Sequence, residues 1–155
     1  MQPSIIIQAR MGSKRFPKKS IAKLGNHTVI EWIFKRLKFC NNVQKIILAT
    51  TDKNEDDILC KIAKENAVLY FRGSEDDVLI RYIKAAKFFN VKEIIRVCAD
   101  RPFVDPQLID DLAINFNYSN EDLLFNHISD KYNFWPIGFG GEIVKFDTLK
   151  KIYSD

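Results

Sequence analysis

Twelve residues near the start of the chain, Gln8-Ala9-Arg10-Met11-Gly12-Ser13-Lys14-Arg15-Phe16-Pro17-Lys18-Lys19, combine one glycine with five cations directly after an isoleucine-rich run. A glycine at such a point lets the backbone turn closely and expose N–H groups, while Arg10, Arg15 and Lys19 supply positive charge. That combination suits phosphate oxygens. The alternative is a solvated basic loop with no ligand. The spacing is neither the GxxxxGK[ST] of a Walker loop nor the GxGxxG of a dinucleotide fingerprint. A second segment, Cys98-Ala99-Asp100-Arg101-Pro102, places one carboxylate after another apolar run. Mg²⁺ takes one or two carboxylates plus phosphates and water, so Asp100 suits that ion if it faces the basic loop; a turn or helix-capping aspartate is the other reading. In a third segment, Thr50-Thr51-Asp52, the polar groups either meet a ribose hydroxyl or cap a helix beginning near Asn54.

All three segments follow short runs rich in Ile, Val and Leu, which the pattern predicts as strands over Ser4–Gln8, Lys45–Thr50 and Glu93–Cys98, with another at Val68–Phe71. The nearly unbroken apolar centres of the second and fourth strands in chain order belong to strands buried on both faces. Helical periods fall between them. Thr28 to Leu37 sets Val29, Ile30, Ile33, Phe34 and Leu37 on one side, and Thr28 with Glu31 forms a capping box. Asn54 to Glu65 opens with Glu55, Asp56 and Asp57 at the positive end of a helix, and Ser74 to Phe89 repeats the design with Glu75, Asp76 and Asp77. Pro106 suits the first turn of a helix running to Phe116. The alternation predicts an α/β fold with a doubly wound, mostly parallel sheet and helices on both faces. In such a sheet, ligands bind at the carboxyl edge of the strands, where the three segments lie. Strands over Leu123–Asn126 and Glu142–Phe146 and a helix over Asp147–Tyr153 complete the prediction.

The chain has 155 residues, the size of a single domain spanning 1–155. Its 46% hydrophobic and 28% charged residues exclude a disordered tail or a disulfide scaffold. Cys40, Cys60 and Cys98 form no metal-spaced pair, so they read as reduced packing thiols rather than zinc ligands. The apolar runs are too short to span a membrane and the first residues lack a signal-peptide pattern, which predicts a cytoplasmic protein. Residues 1–45 carry ten Lys or Arg against one acid, Glu31, although the whole chain is only +4. Such a segment attracts polyanions. Its charges gather in a glycine-containing loop rather than in a stripe with interleaved aromatics, which points to a nucleotide's phosphates and away from nucleic acid.

The run IIIQARMGSKRFPKKSI resembles the nucleotide-binding signature of the cytidylyltransferases that make CMP-activated sugar acids, and most closely the branch of spore-coat polysaccharide biosynthesis proteins. ILATTDKNEDD, YFRGSEDDVLIRY and RVCADRPFVDPQLID match in order and spacing, and IGFGGEIVKFDTLKKIY is similar to a later strand and helix of that branch. The resemblance implies a nucleotidyltransferase of the glycosyltransferase-A-like type. A sugar hydroxyl attacks the α-phosphate of CTP, giving a CMP-sugar and pyrophosphate. Carried over by position, Ala9, Arg10, Gly12, Ser13, Arg15 and Lys19 hold the base and triphosphate, with Arg15 and Lys19 as the catalytic cations. Arg72 sits near the nucleotide and Asp100 binds Mg²⁺. The implied partners are CTP and a sugar or sugar acid, with a homodimer as the assembly.

The chain departs from this pattern at particular residues. Ala99 stands where the family usually has Gly, Arg101 where the branch has Cys, and Cys98 where many members have Gln. Gly138-Phe139-Gly140-Gly141-Glu142 keeps only the ends of the branch's GLDVE motif. Family members also carry a second metal-binding Asp in a VDTPEDL-like segment further along than Asp155, so these residues are expected to hold half of a catalytic site. The alternative is a non-catalytic nucleotide or sugar-nucleotide binder, or a subunit completed by a partner.

Overall fold

The computed structural model describes residues 2–13, 16–126, 136 and 138–154. Five of its eight strands follow the apolar runs: β1 (Ser4–Gln8), β4 (Ile46–Thr51), β5 (Leu69–Gly73), β6 (Glu93–Cys98) and β8 (Glu142–Lys145). With the short β7 (Leu123–Phe125) they form one six-stranded sheet in the order β5-β4-β1-β6-β8-β7. The first four strands of that order run parallel, and β8 is antiparallel to both neighbours. β1 lies centrally, with Ile5 opposite Ile46 on one side and Ile95 on the other.

Five helices cover the sheet. On one face, α1 (Val29–Leu37), α2 (Asp57–Glu65) and α4 (Pro106–Tyr118) enclose a core that takes Ile5 and Ile7 from β1, Leu48 from β4, and Ile95 and Val97 from β6. On the other face, α3 (Val78–Phe88) and α5 (Phe146–Ser154) meet Ile6, Ile47, Ala49 and Ile94. Successive residues of a strand point to opposite faces, so a strand covered on both sides needs apolar residues at every position. Ala99 lies in the first core, 5% exposed, so the methyl that distinguishes it from glycine packs among apolar side chains.

The elements differ from the sequence expectation mainly at their starts. Asn54–Asp56 is a 3₁₀ turn ahead of α2, and α3 begins at Val78 rather than Ser74. Ser74 to Asp77 instead builds the entrance to α3: the Asp77 N–H donates to Ser74 Oγ, and Asp77 caps the helix by accepting from the Ile80 N–H at 2.8 Å. A small hairpin of β2 (Lys23–Leu24) and β3 (His27–Thr28) has no counterpart in the expectation. Gly25 turns it at φ +62°, a conformation glycine adopts without a side-chain penalty. Among the described residues, no helix is long and apolar enough to cross a membrane.

The capping box at the start of α1 forms as the spacing predicts. The Thr28 N–H donates to Glu31 Oε2 at 2.6 Å, and the Glu31 N–H donates to Thr28 Oγ1 at 3.4 Å. The Thr28 hydroxyl also donates to Glu31 Oε2 at 2.6 Å, and this bond first, then that from the Thr28 N–H, holds the Glu31 carboxyl below its ordinary value. Thr28→Ala is therefore expected to cost about 1 kcal/mol in urea unfolding, with Thr28→Ser keeping most of it.

Candidate functional site

The loop leaving β1 is fixed by one acid that the sequence pattern places elsewhere. Asp56 reads as a dipole-stabilising acid at a helix start, yet it is completely buried. Its Oδ1 accepts from the Met11 N–H at 2.7 Å, and its Oδ2 accepts from the Thr51 N–H at 3.2 Å and from the Thr51 hydroxyl. A carboxylate out of contact with water is tolerable when donors surround it. Asp56 thus ties the basic loop to the end of the neighbouring strand. Thr51, expected to face a ribose or cap a helix, spends its hydroxyl on this bond.

The tied loop encloses a cavity of about 330 Å³, lined by Gln8, Ala9, Arg10, Ser13, Lys19, Val78 and Arg81. Four of the residues singled out in the sequence, Ala9, Arg10, Ser13 and Lys19, therefore share one space. Gly12 lies beside it, where an added Cβ would come 3.2 Å from Glu55 Oε1 and 3.3 Å from Glu75 Oε1. Glu75 also approaches Arg10 and Lys53, each at 3.7 Å. Lys18, at the exit of the loop, takes φ +58°, a left-handed conformation uncommon for a residue with a side chain. Arg15 falls outside the described residues.

Asp100, just past β6, is not among the residues lining this cavity; it lines a separate one of about 250 Å³ with Arg101, Pro102 and Phe103, and is joined to the first through Lys19. Its Oδ2 accepts from Lys19 Nζ at 2.7 Å, so the proposed metal ligand and one proposed catalytic cation are paired with each other. Partial burial works to raise the Asp100 carboxyl, but the Lys19 hydrogen bond and charge, helped by its own backbone N–H and by Arg101, hold it below its ordinary value. Among the described residues, no group of three or more His, Cys, Asp or Glu could hold a metal ion. Asp100 offers one carboxylate, a donor set that fits Mg²⁺ where phosphates and water supply the remaining oxygens.

Arg72 is not among the residues lining the cavity. Its Nε donates to the Thr51 carbonyl at 2.9 Å, Nη2 to the Lys53 carbonyl at 2.7 Å and Nη1 to Asp57 at 2.6 Å. Its guanidinium braces the turn between β4 and α2. Gln8 opens the basic segment without a role assigned to it from sequence, and Arg81 is not singled out there. Arg81 carries a signal: it stands among the buried residues of α3, beside Tyr82 and one turn before Ala85, where a charge is out of place. A second cavity of about 550 Å³ shares Gln8 and Val78 with the first. Its walls include Tyr82, Val144 and Leu149, and its polar end is the Arg96–Glu142 pair at 2.8 Å.

Two outcomes follow from this geometry. Asp56→Ala leaves the Met11 and Thr51 donors unmet, and should cost at least about 2 kcal/mol in urea unfolding; a change below about 0.5 kcal/mol would contradict the tether. The Asp100 carboxyl, followed by NMR, should titrate below the ordinary aspartate range and move upward in Lys19→Met. Because its folded value is depressed, the pair stabilises the protein above the unfolded value, and that contribution is lost as pH falls through the folded one.

Residues 4–155 match the family model described as cytidylyltransferase. An uncharacterised protein of Methanocaldococcus jannaschii is 37% identical over 150 residues, covering 97% of this chain and 59% of its own length. The spore coat polysaccharide biosynthesis protein SpsF of Bacillus subtilis is 35% identical over 149 residues, covering 93% of this chain and 59% of its own length. The solved structure of a cytidylyltransferase from Leptospira borgpetersenii superposes with a TM-score of 0.91 at 35% identity, over 99% of this chain and 64% of that one. The chain spans about three fifths of the length of the curated relatives it matches. The sheet order, the loop after its central strand and the match over residues 4–155 agree: the chain belongs to the cytidylyltransferase family.

Proposed function

We propose that these residues form the nucleotide half of a site that transfers CMP from CTP to a hydroxyl of a sugar or sugar acid, in the cytoplasm, for surface-polysaccharide biosynthesis. The observation that carries the reading is the cavity after β1, where Ala9, Arg10, Ser13 and Lys19 meet and Asp100 faces Lys19 across a hydrogen bond. The acceptor hydroxyl gives up its proton to water as its oxygen bonds to the α-phosphorus, the bond from that phosphorus to the bridging oxygen of the β-phosphate breaks, and pyrophosphate leaves with that electron pair. Such a transfer needs positioning and charge neutralisation more than covalent participation by the protein.

Each described residue then has a physical task. Arg10 and Lys19 balance phosphate charge, and Lys19 can turn from Asp100 to a phosphate oxygen because both side chains are partly exposed. Ser13 offers a hydroxyl, its backbone N–H being already bonded to the Met11 carbonyl at 2.8 Å. Arg15, the second catalytic cation of the resemblance, belongs to the same loop. Asp100, once Lys19 has turned away, would hold Mg²⁺, which when bound supplies further charge neutralisation at the phosphates. The adjoining cavity, sharing Gln8 and Val78, gives the acceptor a place beside the nucleotide.

Isothermal titration of the chain with CTP, with ATP and GTP as controls, tests the reading. CTP should bind selectively, more tightly with Mg²⁺, and Arg15→Ala should weaken it at least tenfold, equivalent to about 1.4 kcal/mol. Pyrophosphate release over a panel of sugars and sugar acids then separates transfer from plain binding. A folded chain that bound no nucleotide would overturn the proposal.

A further inference from the structure

We infer that Arg81, buried on α3, is the anchor for a phosphate group of the nucleotide, an inference that rests on the nucleotide reading of the cavity it lines. Among the described residues, Arg81 is the largest fully buried side chain, at 2% exposure. Its stem packs against Gly73, where an added Cβ would lie 3.4 Å from Arg81 Cγ. One terminal nitrogen, Nη1, donates to the Ser74 carbonyl at 2.5 Å. Nε is buried and meets no acceptor. Among the described residues, no carboxylate lies within ion-pair distance of this guanidinium, whereas Arg36, Arg72 and Arg96 each have one.

An arginine keeps its charge in a protein, and a buried charge is costly unless an opposite charge and hydrogen bonds meet it. Burial disfavours the charged form of Arg81, and the nearby charge of Arg10 adds to the penalty; Tyr82, Asp56 and Glu75 act in the opposite sense without contact. Asp56 has its own donors in Met11 and Thr51. The unmet charge lines the cavity into which Arg10, Ser13 and Lys19 also open, and Gln8, whose Oε1 is buried without a donor, lines it too. An anion entering this space would meet the charge of the guanidinium and offset the burial cost. A phosphate matches the forked geometry of a guanidinium and the excess of cations around it.

Binding of inorganic tripolyphosphate and of CTP, together with thermal unfolding of the ligand-free protein, tests this in Arg81→Met and Arg81→Lys. Arg81→Met should weaken both ligands at least tenfold while leaving the ligand-free melting temperature unchanged or higher, because it removes an unmet buried charge. Arg81→Lys, which keeps the charge and loses the fork, should recover only part of the affinity, and it carries the test if the methionine variant does not fold. Unchanged tripolyphosphate affinity in the variants would overturn the inference, as would a parent protein that binds no tripolyphosphate. If the parent holds tripolyphosphate through Arg81 but does not bind CTP, the anchor stands and the cytidylyltransferase reading of this cavity falls.

Discussion

A carboxylate sealed from water must be surrounded by donors, and the way Asp56 meets that demand determines the shape of the candidate site. Its two oxygens engage the backbone of Met11 in one loop and the backbone and hydroxyl of Thr51 at the end of the adjacent strand. The loop after β1 is therefore drawn against β4, and Met11 is pulled into the apolar core at 7% exposure. With Met11 turned inward, its neighbours Arg10, Gly12 and Ser13 remain at the edge of the cavity. A flexible basic segment becomes a wall of defined form, and the ordering cost is met in the fold rather than at the moment of binding.

The electrostatics follow the same logic of internal substitutes. Lys19 rests on Asp100, and Arg10 lies near Glu75, which also approaches Lys53. These pairs are partly exposed, and because exposed ion pairs are worth little, breaking them costs little. Arg81 differs in having no such substitute. The cations around the cavity thus range from partly exposed and paired, Arg10 and Lys19, to buried and without a carboxylate partner among the described residues, Arg81.

Much of the scaffold was legible in the residues. Apolar runs without polar interruptions mark the central strands, because both faces of the sheet are covered, and Thr28 with Glu31 marks a helix start through local hydrogen bonds. The first, basic segment was legible because five cations and a glycine need no tertiary context to be noticed. Other features depend on contacts between residues far apart in the chain. Asp56 looks like its neighbours Glu55 and Asp57, and only its partner forty-five residues away distinguishes it. Arg72 looks available until the carbonyls of Thr51 and Lys53 are seen to occupy it. The hairpin of β2 and β3 is too short for a periodic pattern to emerge, and is recognisable chiefly through its Gly25-Asn26 turn.

The central position of β1 has a consequence for how the protein is made. Ile5 pairs with Ile46 and with Ile95, so the strand that carries the basic loop leaves the ribosome well before either neighbour exists. At the usual pace of synthesis, roughly 5 to 20 s separate the emergence of β1 from that of β6. Until β4 emerges, roughly 2 to 8 s after β1, an isoleucine-rich strand followed by a cluster of cations has no strand to pair with, and its other side stays open until β6 arrives. The pairing it awaits is parallel and remote in sequence, the slowest kind to form. The same centrality that buries β1 on both sides makes its assembly a late event, and leaves the nascent chain open to chaperones or to aggregation.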